Sequence, residues 1–144
     1  MEQRISLITL GVSDLNRARA FYDAMGWKVS SGDQQEGIIA YDLQNMALAL
    51  YPWEKLAEDV GIPVDRSGYS AFAIAYNVSS EGEVETMLAE AEKAGGRIIK
   101  AAEKAFWGGY SGYFSDVDGH LWEVAYNPFS KLGLRGEFQW GGIE

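Results

Sequence analysis

The sequence predicts an α+β fold made of two β-α-β-β-β modules. Three observations point to it. Strand-like and helix-like segments follow one another in the same order twice. Both long helical segments open at a side-chain cap and stop at glycine. A polar stretch bearing glycine and proline separates the two runs. The halves hardly match residue for residue, so the repeat lies in the order of elements. One domain is expected over residues 1–128, with module one at about 1–60, a linker at 61–68 and module two at about 69–128. Residues 129–144 form a tail that is glycine-bearing yet carries Phe129, Phe138 and Trp140.

Ile5–Val12 is apolar and β-branched enough for a strand. Asp14 suits a helix N-cap, Leu15, Ala18, Phe21, Tyr22 and Met25 recur at helical spacing, and Gly26 supplies a left-handed stop. Trp27–Ser30, Gly37–Asp42 and Met46–Tyr51 read as strands, separated by Ser31-Gly32-Asp33 and Leu43-Gln44-Asn45 turns. A short helix or turn follows at Trp53–Val60. Tyr69–Tyr76 then reads as a strand, and Ser80-Glu81-Gly82-Glu83 is a capping box for a helix that runs to Ala94 and ends at Gly95-Gly96. Arg97–Ala101, Tyr110–Ser115 and His120–Tyr126 complete the second module, the last two joined by an Asp116-Val117-Asp118-Gly119 turn.

Alternate residues of a strand face opposite sides. Ile8, Leu10 and Val12, Leu48 and Leu50, Phe72 and Ile74, and Trp122 and Val124 make a bulky face suited to packing under helices. Leu7, Thr9 and Gly11, Ala47, Ala49 and Tyr51, Tyr69, Ala71 and Ala73, and Leu121, Glu123 and Ala125 make the other. A face of small residues leaves volume to be filled by a bound small molecule, by the other half, or by a second subunit.

Composition removes whole classes of chemistry. With no cysteine there is no disulfide, thiol nucleophile or thiolate metal site, and with His120 the only histidine no multi-histidine metal site exists within one chain. Twelve Lys+Arg against twenty-one Asp+Glu give a net charge of −9, which argues against a nucleic-acid partner. No stretch has the length of a membrane span, and Met1-Glu2-Gln3-Arg4 runs into a strand without a secretory signal; a cytoplasmic protein with no membrane partner is expected. Asp116 and Asp118 begin like a calcium loop, but the later glutamate is missing, so they read as turn-formers.

The run Val12-Ser13-Asp14-Leu15, then Ala20-Phe21-Tyr22 and Gly26-Trp27, together with Asp116-Val117-Asp118-Gly119-His120-Leu121-Trp122-Glu123-Val124, resembles the vicinal oxygen chelate superfamily of glyoxalases, bleomycin-resistance proteins and extradiol dioxygenases. The resemblance runs through Pro128. It implies curved mixed β-sheets with helices on the outer face, a cupped site and a homodimer. It also implies metal ligands at the positions of Leu7, Tyr69, Glu123 and, within a residue or two, Ala49. Leu7 and Ala49 have no donor atom, and a tyrosine phenol with a pKa near 10 is a poor ligand. No metal cofactor is therefore expected, with a divalent ion held weakly at Glu123 as the alternative.

The residues that the fold resemblance and strand parity offer for ligand contact are Leu7, Thr9, Ala49, Tyr51, Trp53, Tyr69, Ala71, Trp107, Tyr110 and Glu123. Glu123 suits a cationic or hydroxylated ligand, or the role of general base; the aromatics suit flat or cationic ligands. Trp107, beside Gly108-Gly109, is expected on a mobile rim, and Trp53 on the opposite side. His120, on the parity opposite to Glu123, reads as structural. Two functions follow: metal-free small-molecule binding, as in the drug-sequestering members, or a glyoxalase/lyase-like enzyme using Glu123 as base or within an oxygen-rich metal site.

Overall fold

The computed structural model describes residues 1–30 and 37–143, so the Ser31-Gly32-Asp33 turn lies outside the described residues. It has the expected α+β class, with two mixed sheets. The chain divides into two compact units, Met1–Ser70 and Ala71–Glu144.

In the first unit β1 (Leu7–Val12), α1 (Leu15–Ala24), β2 (Ile39–Leu43), β3 (Met46–Pro52) and α2 (Trp53–Val60) follow in order. The sheet runs β1-β3-β2, with β1 parallel and β2 antiparallel to β3. Asp14 caps α1 by accepting the Arg17 amide at 2.9 Å. The helix lays Ala18, Phe21 and Tyr22 on a core of Leu10, Val12, Tyr41, Leu48 and Leu50. Burying these apolar groups, each worth roughly 1.5–3 kcal/mol, is the main drive for the unit to close.

Trp27–Ser30 forms no strand. The Trp27 amide turns back to the Tyr22 carbonyl at 3.0 Å while Gly26, at φ 96°, donates to Asp23 O at 3.0 Å. This is a Schellman stop, and its apolar contact is the Trp27 indole stacked on Tyr22 at 5.3 Å. The segment is thus spent on ending α1. Only its last residue reaches the sheet, Ser30 donating to Ala40 O at 2.9 Å.

The second unit contains β4 (Ile74–Val78), α3 (Glu81–Lys93), β5 (Arg97–Lys104), β6 (Tyr110–Ser115) and β7 (Leu121–Tyr126), in the sheet order β4-β7-β6-β5. This is the β-α-β-β-β order in full. Ser80 Oγ accepts the Glu83 amide at 3.2 Å, and the Glu83 carboxylate reaches back to the Ser79 amide at 2.6 Å. Gly95 and Gly96 repeat the Schellman stop, donating to Glu92 O and Ala91 O. Val84, Leu88 and Ala91 of α3 pack on the sheet face that carries Phe114, Trp122 and Val124.

The expected strand Tyr69–Tyr76 is displaced along the chain to Ile74–Val78. Its parallel partner explains this. β7 begins at Leu121 because His120 is held in the preceding turn, and the ladder starts at Ile74 opposite Trp122. Residues before Ala73 would lie beyond the end of β7, and Ala71 sits at φ 56°, outside the extended region. In the other direction β5 extends to Lys104, beyond the expected Ala101, because β6 offers partners as far as Tyr110.

Candidate binding faces

Each unit offers one candidate sheet face. In the first, β1, β3 and β2 bring Thr9, Ala49 and Ala40 into one row, with Leu7, Ala47 and Asp42 in the next. Residues paired across strands share a face, so Leu7, Thr9, Ala49 and Tyr51 do stand together, as parity predicts. Leu7 is exposed, Thr9 and Tyr51 are half-buried, and Ala49 is sealed at 1% exposure. Trp53, the first residue of α2, packs at the end of this face. A Cβ on Gly11 would come within 3.0 Å of the Trp53 Cβ, so the missing side chain there is what lets α2 approach. The Arg66 guanidinium lies 4.2 Å from the Trp53 ring centroid, which shows that this ring faces a cation from its own unit. Tyr69 does not join the row: it stands outside any strand and is 79% exposed.

In the second unit, Glu123 is at the centre of the face turned away from α3. Ala75 of β4 lies beside it on one side and Tyr113 of β6 on the other, with Lys100 of β5 beyond Tyr113. Glu123 is half-buried, and so is Tyr113. Leu121 and Ala125 precede and follow it along the strand on the same face. A carboxylate and a phenol on adjacent strands thus stand together over a floor of small side chains. The Lys100 ammonium is drawn to Glu103 at 2.8 Å, and that carboxylate raises its pKa.

The same register places Tyr110 on the opposite face from Glu123. It shares parity with Gly112 and Phe114, on the side of α3, where its hydroxyl donates to Glu85. That hydrogen bond to a carboxylate holds the phenol pKa above its ordinary value. Tyr113, absent from the expected set, takes the place beside Glu123. The signal was present in the sequence: counting back from the Asp116–Gly119 turn pairs Tyr113, not Tyr110, with Glu123.

Trp107 occupies the hairpin tip between β5 and β6. The tip is closed by Ala105 donating to Gly109 O at 2.9 Å and Gly108 donating to Ala105 O at 3.0 Å. The Trp107 indole folds over Gly109 so closely that a Cβ there would overlap the ring, and Phe129 of the tail packs on Gly108 at 3.1 Å from a Cβ placed there. Two aromatic rings thus lie against the glycines of this tip. Ala71 is exposed and outside the ladder. His120 holds the turn: its amide donates to Asp116 Oδ1 at 2.9 Å and its carbonyl accepts the Asp116 amide at 2.9 Å.

The four positions implied to ligate a metal do not fit one. Leu7 and Ala49 supply no lone pair, Tyr69 stands off the ladder, and Glu123 alone is a carboxylate. Among the described residues no three His, Cys, Asp or Glu side chains gather into a set.

The comparisons with known proteins agree with the fold. A family model described as the Glyoxalase/Bleomycin resistance protein/Dioxygenase superfamily matches residues 4–124. A glyoxalase-related enzyme from Fulvimarina pelagi is 35% identical, with a TM-score of 0.87 over 98% of this chain and 100% of its own. Two more distant structures share the fold. A glyoxalase/bleomycin resistance protein/dioxygenase family enzyme from Burkholderia phytofirmans is 17% identical (TM-score 0.75, covering 84% of this chain and 96% of that one). A lactoylglutathione lyase from Agrobacterium tumefaciens is 21% identical (TM-score 0.65, covering 88% and 96%). The curated proteins contain no match.

Proposed function

We propose, because the chain belongs to the Glyoxalase/Bleomycin resistance protein/Dioxygenase superfamily, that it is a small-molecule binding protein of that family working without a metal. The observation that carries this reading is the half-buried Glu123 carboxylate beside Tyr113, on a face that also carries Ala75, Ala125 and Leu121. A carboxylate flanked by an aromatic ring suits a cationic or hydroxylated ligand with an apolar body. The charge supplies hydrogen-bond acceptors, the ring a stacking or cation–π wall, and the alanines room. Thr9, Tyr51 and Trp53 offer a second set of contacts on the first unit's face. The net charge of −9 favours capture of cations over anions. A homodimer in the cytoplasm completes the reading. Its support is the amount of apolar surface left open, with Tyr69, Phe72, Leu134 and Trp140 all at least half exposed.

The test is a titration of metal-stripped protein with a panel of cationic drugs and metabolites, followed by melting temperature and tryptophan fluorescence. Stabilisation without added metal supports the reading, since a ligand that binds the native state raises its melting point. Stabilisation that needs nickel, zinc or manganese contradicts it.

The second reading is a glyoxalase- or lyase-like enzyme with Glu123 as general base. The observation in its favour is the end-to-end match, at 35% identity, to a protein described as a glyoxalase-related enzyme. Turnover abolished by Glu123→Gln, with the melting temperature unchanged, would establish it over sequestration.

A further inference from the structure

The edge strand of the second sheet breaks its own alternation at the row of Glu123. Arg97 of β5 stands opposite Ser115 of β6. Strict alternation from that pair would set Ile99 opposite Tyr113 and Ala101 opposite Ser111. The ladder instead shifts register twice, between Ile98 and Lys100 and again between Lys100 and Glu103. Each shift places an extra residue on β5. Lys100 therefore stands opposite Tyr113 and Glu103 opposite Ser111, on the face that carries Glu123. Two apolar side chains are exchanged there for a cation and an anion. Re-aiming a side chain beside a functional site is a recurrent use of such bulges.

Two further features hold this arrangement. A Cβ on Gly112 would lie 2.9 Å from Lys100 O and 3.0 Å from Ala102 N, so the glycine lets the shifted backbone lie against β6. The Lys100 ammonium donates to Glu103 Oε1 at 2.8 Å. Glu103 first, and Tyr113 after it, hold the Lys100 pKa above its ordinary value, so the ammonium lies within the field of the phenol. An ammonium has three donors, and one bond to Glu103 leaves the others for a ligand. The row thus reads Ala75, Glu123, Tyr113, Lys100 across β4, β7, β6 and β5. Neighbouring strands are about 4.8 Å apart, so Glu123 and Lys100 rise from backbones about 10 Å from each other, with Tyr113 between. Ser111 and Ser115 flank Tyr113 on β6 and add neutral hydrogen-bonding groups.

We infer that Lys100 is a specificity-determining residue of the Glu123 site. It selects ligands that carry a carboxylate or phosphate across a flat body from the cationic group held by Glu123. The body lies over the Tyr113 ring, with one charged end on β7 and the other on β5. The inference rests on the binding reading proposed above and narrows its ligands to zwitterions.

The experiment is a chemical-shift titration of the whole metal-stripped chain at low ionic strength. The probes are benzylamine, benzoate, 4-(aminomethyl)benzoate and its methyl ester, which share one ring and differ in charge. The zwitterion is expected to bind about two- to fivefold more tightly than its ester, the scale of one solvent-exposed ion pair, with shifts at Glu123, Tyr113 and Lys100. Lys100→Gln removes that advantage without weakening benzylamine, a split that general damage to the fold would not give. The double exchange Ile99→Lys with Lys100→Ile keeps the composition and also loses the advantage, because position 100 is the one opposite Tyr113. Lys93→Gln on α3 changes neither. Equal binding of the zwitterion and its ester, or an advantage that survives either Lys100 variant, overturns the inference. If Glu123→Gln still weakens benzylamine in that case, the binding reading stands and only the role of Lys100 falls. Binding of none of the four compounds at this face overturns the inference too, and the drug panel then decides the reading beneath it.

Discussion

A methyl group at position 112 would come within 2.6 Å of Leu88 Cδ1, 2.9 Å of Lys100 O and 3.0 Å of Ala102 N. The leucine can move, but the backbone of β5 cannot without breaking its ladder. Gly112→Ala is therefore expected to destabilise the protein by about 1–3 kcal/mol, the usual range for overpacking, as read by urea denaturation. Tyr41 makes a different kind of prediction. Burial first, then the neighbouring Asp23 carboxylate, pushes its phenol pKa up to about 12. The folded protein then holds this proton at pH values where the unfolded chain, with a pKa near 10, releases it. Tyr41 thus contributes stability that is intact below pH 10 and is lost as pH rises toward 12. The gap in stability between wild type and Tyr41→Phe should narrow across that window, and ultraviolet titration should show one tyrosine ionising late. At this scale the sequence was legible where parity alone decides, as at Glu123 and Thr9. It was less legible on β6, because which residue stands beside Glu123 depends on the pairing register set by a turn several residues away.

The helices show how much of an element its ends determine. Both α1 and α3 begin at a side-chain cap and close in a Schellman stop, and all four signals could be read directly from Asp14, Gly26, Ser80 and Gly95. Ser80→Ala removes the acceptor for the Glu83 amide and should cost about 1 kcal/mol, measured by thermal or chemical denaturation. Strands were less legible, for a physical reason. Trp27–Ser30 and Tyr69–Ala73 have the composition of strands, yet a strand needs a partner, and the partner is chosen by tertiary structure. Trp27 finds Tyr22 and Tyr41 instead, with ring centroids at 5.3 and 5.5 Å, and Tyr69–Ala73 precede the residues that β7 can pair. β5 errs in the opposite sense, growing because β6 is there to receive it.

For the whole molecule, the absence of cysteine and the lone His120 had already removed most metal and thiol chemistry. The family resemblance gives that exclusion a location, since it implies ligand positions at Leu7, Tyr69, Glu123 and, within a residue or two, Ala49. Among the described residues no helix is long and apolar enough to cross a membrane. Open apolar side chains such as Phe72 and Trp140 lead to the expectation of a two-chain mass in sedimentation equilibrium; a single-chain mass at tens of micromolar would contradict it. The central claim is that Glu123 anchors a small molecule without a metal. Its most direct test uses protein stripped of metal with a chelator and the panel compound that raises the melting temperature most. Tryptophan fluorescence would follow the titration of wild type and Glu123→Gln. The account predicts saturable binding by wild type and a loss of about tenfold or more in the variant, the scale of one hydrogen bond to a charged group. Equal affinity in the two proteins, or binding that appears only when divalent metal is restored, would contradict it.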